Sequence, residues 1–225
     1  MAKKDFKKEE QRLENVQEAL NTTSAWIEAN QKKLTWGITI LLVIVLAVMA
    51  VNNFVIKPKV QAANEENAKA EVYFMQGKYE LALNGDSLDC AGFLSVADGN
   101  KYLQEGKLAA LYAGICYYKL GEYESAAEYL DRFSANDLNI APAAAQLLGD
   151  AYVHLQKYDK ALKAFKNAYS SENAIIAPMS LKKAGFVHME LGNKKEAKVA
   201  FETIKKDYPT SVEAQDIDKY IEIVK

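Results

Sequence analysis

The sequence is poor in the residues that staple, break or catalyse. Only two of its 225 residues are cysteines, Cys90 and Cys116, too few for a disulfide framework and lacking metal-site spacing. They read as small buried hydrophobes, with a single disulfide in an oxidising compartment as the alternative. Four prolines and eleven glycines exclude collagen-like and low-complexity chains. Histidine is equally scarce: there are two, His154 and His188, and neither lies in a zinc-protease, haem or Cys-His arrangement. No phosphate-binding loop, nucleophile elbow or dinucleotide fingerprint occurs. Catalysis needs a convergent set of titratable or nucleophilic groups, so no enzyme, no metal and no cofactor is expected.

What is present is enough to fold. Half of the residues are hydrophobic and 26% are charged, which supports a sizeable core and one folded domain with extra segments. The net charge of −2 hides an uneven distribution. Residues 1–59 carry 9 Lys+Arg against 6 Asp+Glu, and residues 60–225 carry 19 against 24. An acidic main domain offers no electrostatic footprint for nucleic acid. The lysines of the first part suit anionic lipid or the fixing of membrane orientation.

One long apolar run organises the chain. LTWGITILLVIVLAVMAVNNFVI, Leu34 to Ile56, has no ionisable side chain. At about 1.5 Å per residue it reaches roughly 34 Å, enough to cross a bilayer core of about 30 Å. Lys32 and Lys33 precede it, Trp36 sits where an interfacial ring belongs, and Lys57, Pro58 and Lys59 close it. The leader before it is too long and charged for a cleaved signal peptide, so an uncleaved signal anchor is expected. Lysine and arginine near the two ends are almost balanced, but the short tail as a whole holds seven. That bias puts the N-terminus in the cytoplasm and the acidic domain outside, in the periplasm for a bacterial inner membrane. Within the tail, Phe6, Leu13, Leu20 and Ile27 recur at steps of seven, with Val16 between. A helix with that stripe can pair with a partner or lie on a membrane, and a solvated, partly helical tail is the alternative.

Beyond the span the chain repeats itself. Gly114, Gly149 and Gly185 anchor three rows of similar sequence, each followed twelve residues later by Ala126, Ala161 or Ala197, and then by Leu130, Phe165 or Phe201. Tyr117, Tyr152 and His188 are equivalent, as are Tyr123, Tyr158 and Lys194. Such a period marks paired amphipathic helices that bury their stripes only by stacking. Glycine costs roughly 1 kcal/mol inside a helix. The cost at Gly114 is expected to be offset by close contact with the second helix around Ala126, and Gly121 is expected in the turn. Pro142 and Pro178 suit the first turn of new helices. LGEY, LQKY and LGNK read as the turns. TSVEAQDIDKYIEIVK, with a Thr210 to Glu213 capping box, reads as a terminal covering helix.

These rows resemble the tetratricopeptide repeat, strongly over about residues 107–209. A degenerate earlier unit, Lys69–Leu83, matches through Tyr73, Gly77, Tyr79 and Ala82. The resemblance implies an all-α, tetratricopeptide-type helical-hairpin solenoid, here preceded by a single transmembrane helix. The expected organisation is a charged tail at 1–33, the transmembrane helix at 34–56 and a juxtamembrane linker at 57–68. A degenerate repeat with an insertion holding a short helix follows at 69–106, then three repeats at 107–209 and a capping helix at 210–225. The resemblance also implies a concave face that binds other proteins. Its inward positions map to Leu111, Ile115 and Tyr118, then Gln146, Asp150 and Val153, then Lys182, Phe186 and Met189. A clamp for a peptide's terminal carboxylate is missing, since Leu111 and Ile115 stand where its first Lys and Asn would be. The whole architecture resembles the single-span ancillary subunit of the bacterial Sec translocon. The function so implied is a membrane-anchored interaction module serving protein translocation or envelope assembly. A self-associating scaffold built on the tail is the alternative.

Overall fold

The computed structural model describes residues 2–86, 88–171 and 173–225, with side chains from residue 15 onward except Ala19. Every regular element among the described residues is helical. The chain divides into two compact units, residues 1–58 and 59–225.

The first unit is dominated by α1 (Ala2–Val51), 50 residues of unbroken α-helix, followed by a π-helical turn, Asn52–Ile56. The aliphatic side chains of the apolar run are exposed, Ile38, Leu42 and Val48 for example at 63, 56 and 63%. Its few polar groups turn inward on the backbone: the Thr35 and Thr39 hydroxyls donate to the carbonyls of Gln31 and Thr35, both at 2.8 Å. Among the described residues this is one helix long and apolar enough to cross a membrane, by length and composition.

The second unit stacks helical hairpins. α2 (Lys57–Met75) turns into the short α3 (Tyr79–Asn84), and α4 (Gly92–Gly99) fills the insertion. Three regular hairpins follow: α5 (Gln104–Leu120) with α6 (Tyr123–Arg132), α7 (Ile140–His154) with α8 (Tyr158–Tyr169), and α9 (Ile176–Glu190) with α10 (Lys194–Asp207). A 3₁₀ turn, Val212–Asp216, leads into α11 (Ile217–Ile223), whose Ile217 and Ile221 are buried against Phe201 and Ile204. The stretch expected as a linker, 57–68, is instead the start of α2, because Ala63, Asn67 and Ala70 recur at helical spacing and are buried.

The repeated sequence becomes repeated contacts. A Cβ on Gly149 would lie 2.4 Å from Phe165 Cε1, and one on Gly185 2.3 Å from Phe201 Cε1, so only glycine admits these rings. Gly114 makes the same approach to Leu130, at 2.6 Å from Cγ. That corrects the expected partner: Ala126 lies in a separate cluster with Ala127 and Ala151. Each hairpin turn closes with the same backbone bond. The N–H groups of Glu122, Lys157 and Asn193 donate to the carbonyls of Tyr117, Tyr152 and His188 at 2.8 to 2.9 Å, the six-to-one bond of a helix-ending left-handed turn. Gly121 supplies the positive φ in the first turn, and Gln156, at φ 56°, takes it in the second. Lys78 donates to Tyr73 in the same way at 3.0 Å, so the degenerate unit turns as its successors do.

Helix entries repeat as well. Asp137 Oδ1 accepts from the N–H groups of Asn139 and Ile140, and Asn173 Oδ1 accepts from those of Ile175 and Ile176. Pro142 and Pro178 sit third in α7 and α9, both buried. At the C-terminal end the cap is Ser211, whose Oγ accepts from Ala214 N–H at 3.2 Å, rather than Thr210. Cys90 and Cys116 are buried and unpaired.

Candidate protein-interaction surface

The first helix of each hairpin, α5, α7 and α9, carries the nine positions expected to face a partner. Their spacing of three and four residues puts them along one stripe of each helix. The structure engages most of them with other residues across the joints between hairpins.

Leu111 is corrected outright. It is 7% exposed and packs with Leu130 and Ala144, with Ile115 half-buried at the edge of the same cluster. An apolar side chain at a joint is covered by the next hairpin, so Leu111 belongs to the core. Tyr118 is also half-buried; its hydroxyl lies 3.3 Å from His154 Nε2. His154 stacks on Tyr123 with centroids 4.0 Å apart and planes 2° from parallel. Burial first, then the charge of Asp150, pushes the Tyr118 pKa up, so the hydroxyl keeps its proton.

Polar positions of α7 are occupied by α9. Gln146 Oε1 accepts from Ser180 Oγ at 3.0 Å, and Ser180 is fully buried. Asp150 pairs with Lys183 at 2.5 Å, with side chains 20 and 32% exposed. Lys182 in turn reaches beyond α9, to Asp216 at 2.6 Å and over the Tyr220 ring at 5.1 Å. Such pairs hold the joint and are not available to a ligand without being broken.

Three positions remain open in part. Val153 and Met189 are half-buried against the cores of their own repeats. Phe186 is 38% exposed, although one edge rests on Phe201 and Tyr220, with centroids 5.8 and 4.9 Å away. Phe186 and Val153 face a cleft of about 290 Å³ between α7 and α9, whose polar walls are Asp150, Lys183 and Glu190. An apolar floor of this size can seat one large apolar side chain of a protein partner, and Glu190, outside the Asp150–Lys183 pair, can accept from the backbone beside it. Lys183 and Glu190 were not among the expected residues. They neighbour Lys182 and Met189 in sequence, and only the joint shows that they share the cleft. His154, too, joins the surface through its stack on Tyr123.

His188 behaves differently. It packs at the second-helix side of α9 with Nδ1 buried and unpartnered, and burial pushes its pKa below the ordinary value, with Glu196 opposing. Among the described residues no group of three His, Cys, Asp or Glu side chains is placed to hold a metal ion.

Similar solved structures include "MamA D159K mutant 1", 22% identical over 74% of this chain and 86% of its own, with a TM-score of 0.49, and "MamA MSR-1 C2", 20% identical over 72% and 96%, with a TM-score of 0.47. No curated protein matches. Models of the tetratricopeptide repeat match residues 108–137 and 181–211, and a second model of the same repeat matches 142–174. The matched stretches fall on the hairpins α5–α6, α7–α8 and α9–α10, each with its glycine, turn and buried second-helix residue in place, so these three hairpins are similar to tetratricopeptide repeats.

Proposed function

We propose that this chain is a membrane-anchored protein-protein interaction module, a binder and not an enzyme, held by Leu34 to Ile56 and engaging partner proteins through its repeats. The observation that supports the binding site is the cleft at Phe186, where an aromatic ring stays exposed beside Val153. Partners would be segments of other proteins that insert an apolar anchor there. Tethering raises their encounter frequency near the membrane, so modest intrinsic affinity suffices. The finer reading places the repeats in the periplasm of a bacterial inner membrane, in service of translocation or envelope assembly. The likeness to a translocon subunit rests on the order of tail, span and repeats alone.

A photocrosslinking residue at Glu190, in native membranes, tests the cleft. Adducts to other proteins are expected, falling about tenfold with Phe186→Glu, as for loss of a central anchor, at unchanged helicity. Adducts that persist at full yield in the variant would refute the cleft as the site. Protease added outside intact spheroplasts tests orientation: digestion of the repeats is expected, and full protection refutes a periplasmic domain. The second reading, a self-associating scaffold, is favoured by the exposed Leu20 and Ile27 on α1.

A further inference from the structure

The apolar line on α1 has no role in the cleft. Between residues 15 and 33 the large apolar side chains are Val16, Leu20, Trp26 and Ile27, exposed at 57, 64, 58 and 47%. Numbered as heptads with Leu20 and Ile27 at a, Val16 takes d and Trp26 takes g, while b, c and f hold only polar residues and alanine. Phe6 and Leu13 continue the series in the sequence, though their side chains lie outside the described residues. In the other direction the same register reaches Leu34 at the start of the span and then Leu41, Ile44, Val48 and Val51, the last four exposed, and it ends where α1 gives way to the π-helical turn.

The helix itself discriminates among ways to cover this line. α1 is α-helical without interruption from Ala2 to Val51. A tail lying on a lipid surface would need a bend near Leu34, where the span begins, and no break occurs there. The tail therefore continues along the axis of the span into water. An unpartnered helix there is marginal, because helices in proteins are stabilised chiefly by burying an apolar face.

We infer that α1 pairs in parallel with α1 of a second copy of this chain, along the a and d line from the tail through the span. The inference deepens the scaffold reading and rests on Leu34 to Ile56 being a membrane span. Two copies in one membrane share orientation and depth, so identical residues meet without a choice of register. At the flanks Gln17, Ser24 and Gln31 at e and Ala19 and Trp26 at g are uncharged, and Lys33 at g falls opposite the e position of Ile38, so over residues 15–38 an identical helix sets no like charges opposite each other at the flanks of the seam. Thr23 and Asn30, both at d, are the polar seam residues between 15 and 33, and polar side chains in a seam help to fix its register. At roughly 100 Å² each, the eight large a and d residues from Val16 to Val51, Leu34 among them, offer about 800 Å² per helix, one partner's share of a standard interface. In water this area is driven together by the hydrophobic effect. In lipid, packing must do it, and at Gly37, also at d, a Cβ would meet nothing within 4 Å, a notch that lets two backbones approach.

Single cysteines at a (Leu20→Cys, Ile27→Cys) and at f (Ala25→Cys, Lys32→Cys), in the full chain in native membranes, test the pairing under mild oxidation. The unsubstituted chain, with Cys90 and Cys116 buried, is the baseline. About tenfold more covalent dimer is expected at a than at f, because f positions face away from the partner helix. Equal yields at a and f, no dimer above baseline, or adducts to a different protein in its place would each overturn the pairing. Alkaline extraction of the same membranes separates the two layers. A chain retained in the membrane without the contrast between a and f refutes pairing and leaves the span standing. A chain released refutes the span, and the membrane-aligned pair with it.

Discussion

Gly185→Ala is the sharpest perturbation of the repeat core. The added Cβ would sit 2.3 Å from Phe201 Cε1 and 2.7 Å from Cζ, more than an ångström inside ordinary contact. The ring has nowhere to go: Phe201 is fully buried and is flanked by Phe186 and Tyr220. Overpacking of this kind costs about 3 kcal/mol at the upper end of its usual range, and alanine returns about 1 kcal/mol of helix propensity, leaving a net loss of about 2 kcal/mol. For a domain of this size that lowers the melting midpoint by about 4–8 °C. The assay is thermal unfolding of the detergent-solubilised full chain followed by circular dichroism, with Gly99→Ala as control. Gly99 ends α4, and a Cβ there meets nothing within 4 Å, so the control should be neutral or stabilising by about 0.5 kcal/mol. In a Phe201→Leu background the penalty of Gly185→Ala should shrink by roughly 2 kcal/mol, a coupling typical of residues in contact. An unchanged or raised midpoint for Gly185→Ala alone, or strict additivity in the double variant, refutes close approach as the reason for the glycine.

Three further outcomes follow from ionisable groups in the repeat unit. Asp86 accepts from the Tyr73 hydroxyl at 2.5 Å and from the N–H groups of Leu88, Asp89 and Cys90, which holds its pKa well below the ordinary 3.8. A depressed carboxylate contributes stability that is fully present above that ordinary value and is lost as pH falls below it. Asp86→Asn should therefore flatten the acid limb of the stability curve below about pH 4, read by urea midpoints at several pH values. An acid limb of unchanged slope counts against the clasp. His188, pushed down by burial, should cost stability as pH falls below 6.5, because the unfolded chain then takes up a proton that the folded one resists. His188→Gln should remove that slope, and a slope that survives assigns it elsewhere. Burial pushes the Cys116 thiol up to about 12. Thiol reagents should label it only after denaturant is added, and rapid labelling of the native chain would show that the α5 core opens.

The periodicity of the chain made its hairpins legible. Gly114, Gly149 and Gly185, with an alanine twelve residues on, located α5 to α10, and the scarcity of charge in Leu34 to Ile56 located the apolar helix. Neighbours were less legible, since spacing shows which face a residue takes and not what covers that face. Leu111 was therefore expected at the surface, yet the next hairpin closes over it, and Gly114 finds Leu130 where Ala126 was expected. Residues 57–68 lacked a strong apolar stripe because α2 buries alanines and one asparagine, residues that signal weakly. Thr210 and Ser211 are adjacent hydroxyls with equal claims to the cap, and backbone geometry selects Ser211. Of the nine expected interaction residues, Asp150, Val153 and Phe186 line a cleft, while Gln146, Asp150 and Lys182 are engaged by the segments that follow.

Those engaged residues have a mechanical meaning. The joint between α7 and α9 is pinned by Gln146 to Ser180 and Asp150 to Lys183, and the end of the array by Lys182 to Asp216. Between α5 and α7, the aromatic contact of Tyr118 with exposed His154 is the polar tie on that face. Direct charge pairs stiffen a hinge more than a stacked ring and one long hydrogen bond. A load applied along the inner face would thus bend the array first between its first two full repeats, leaving the cleft at Phe186 on the stiffer half.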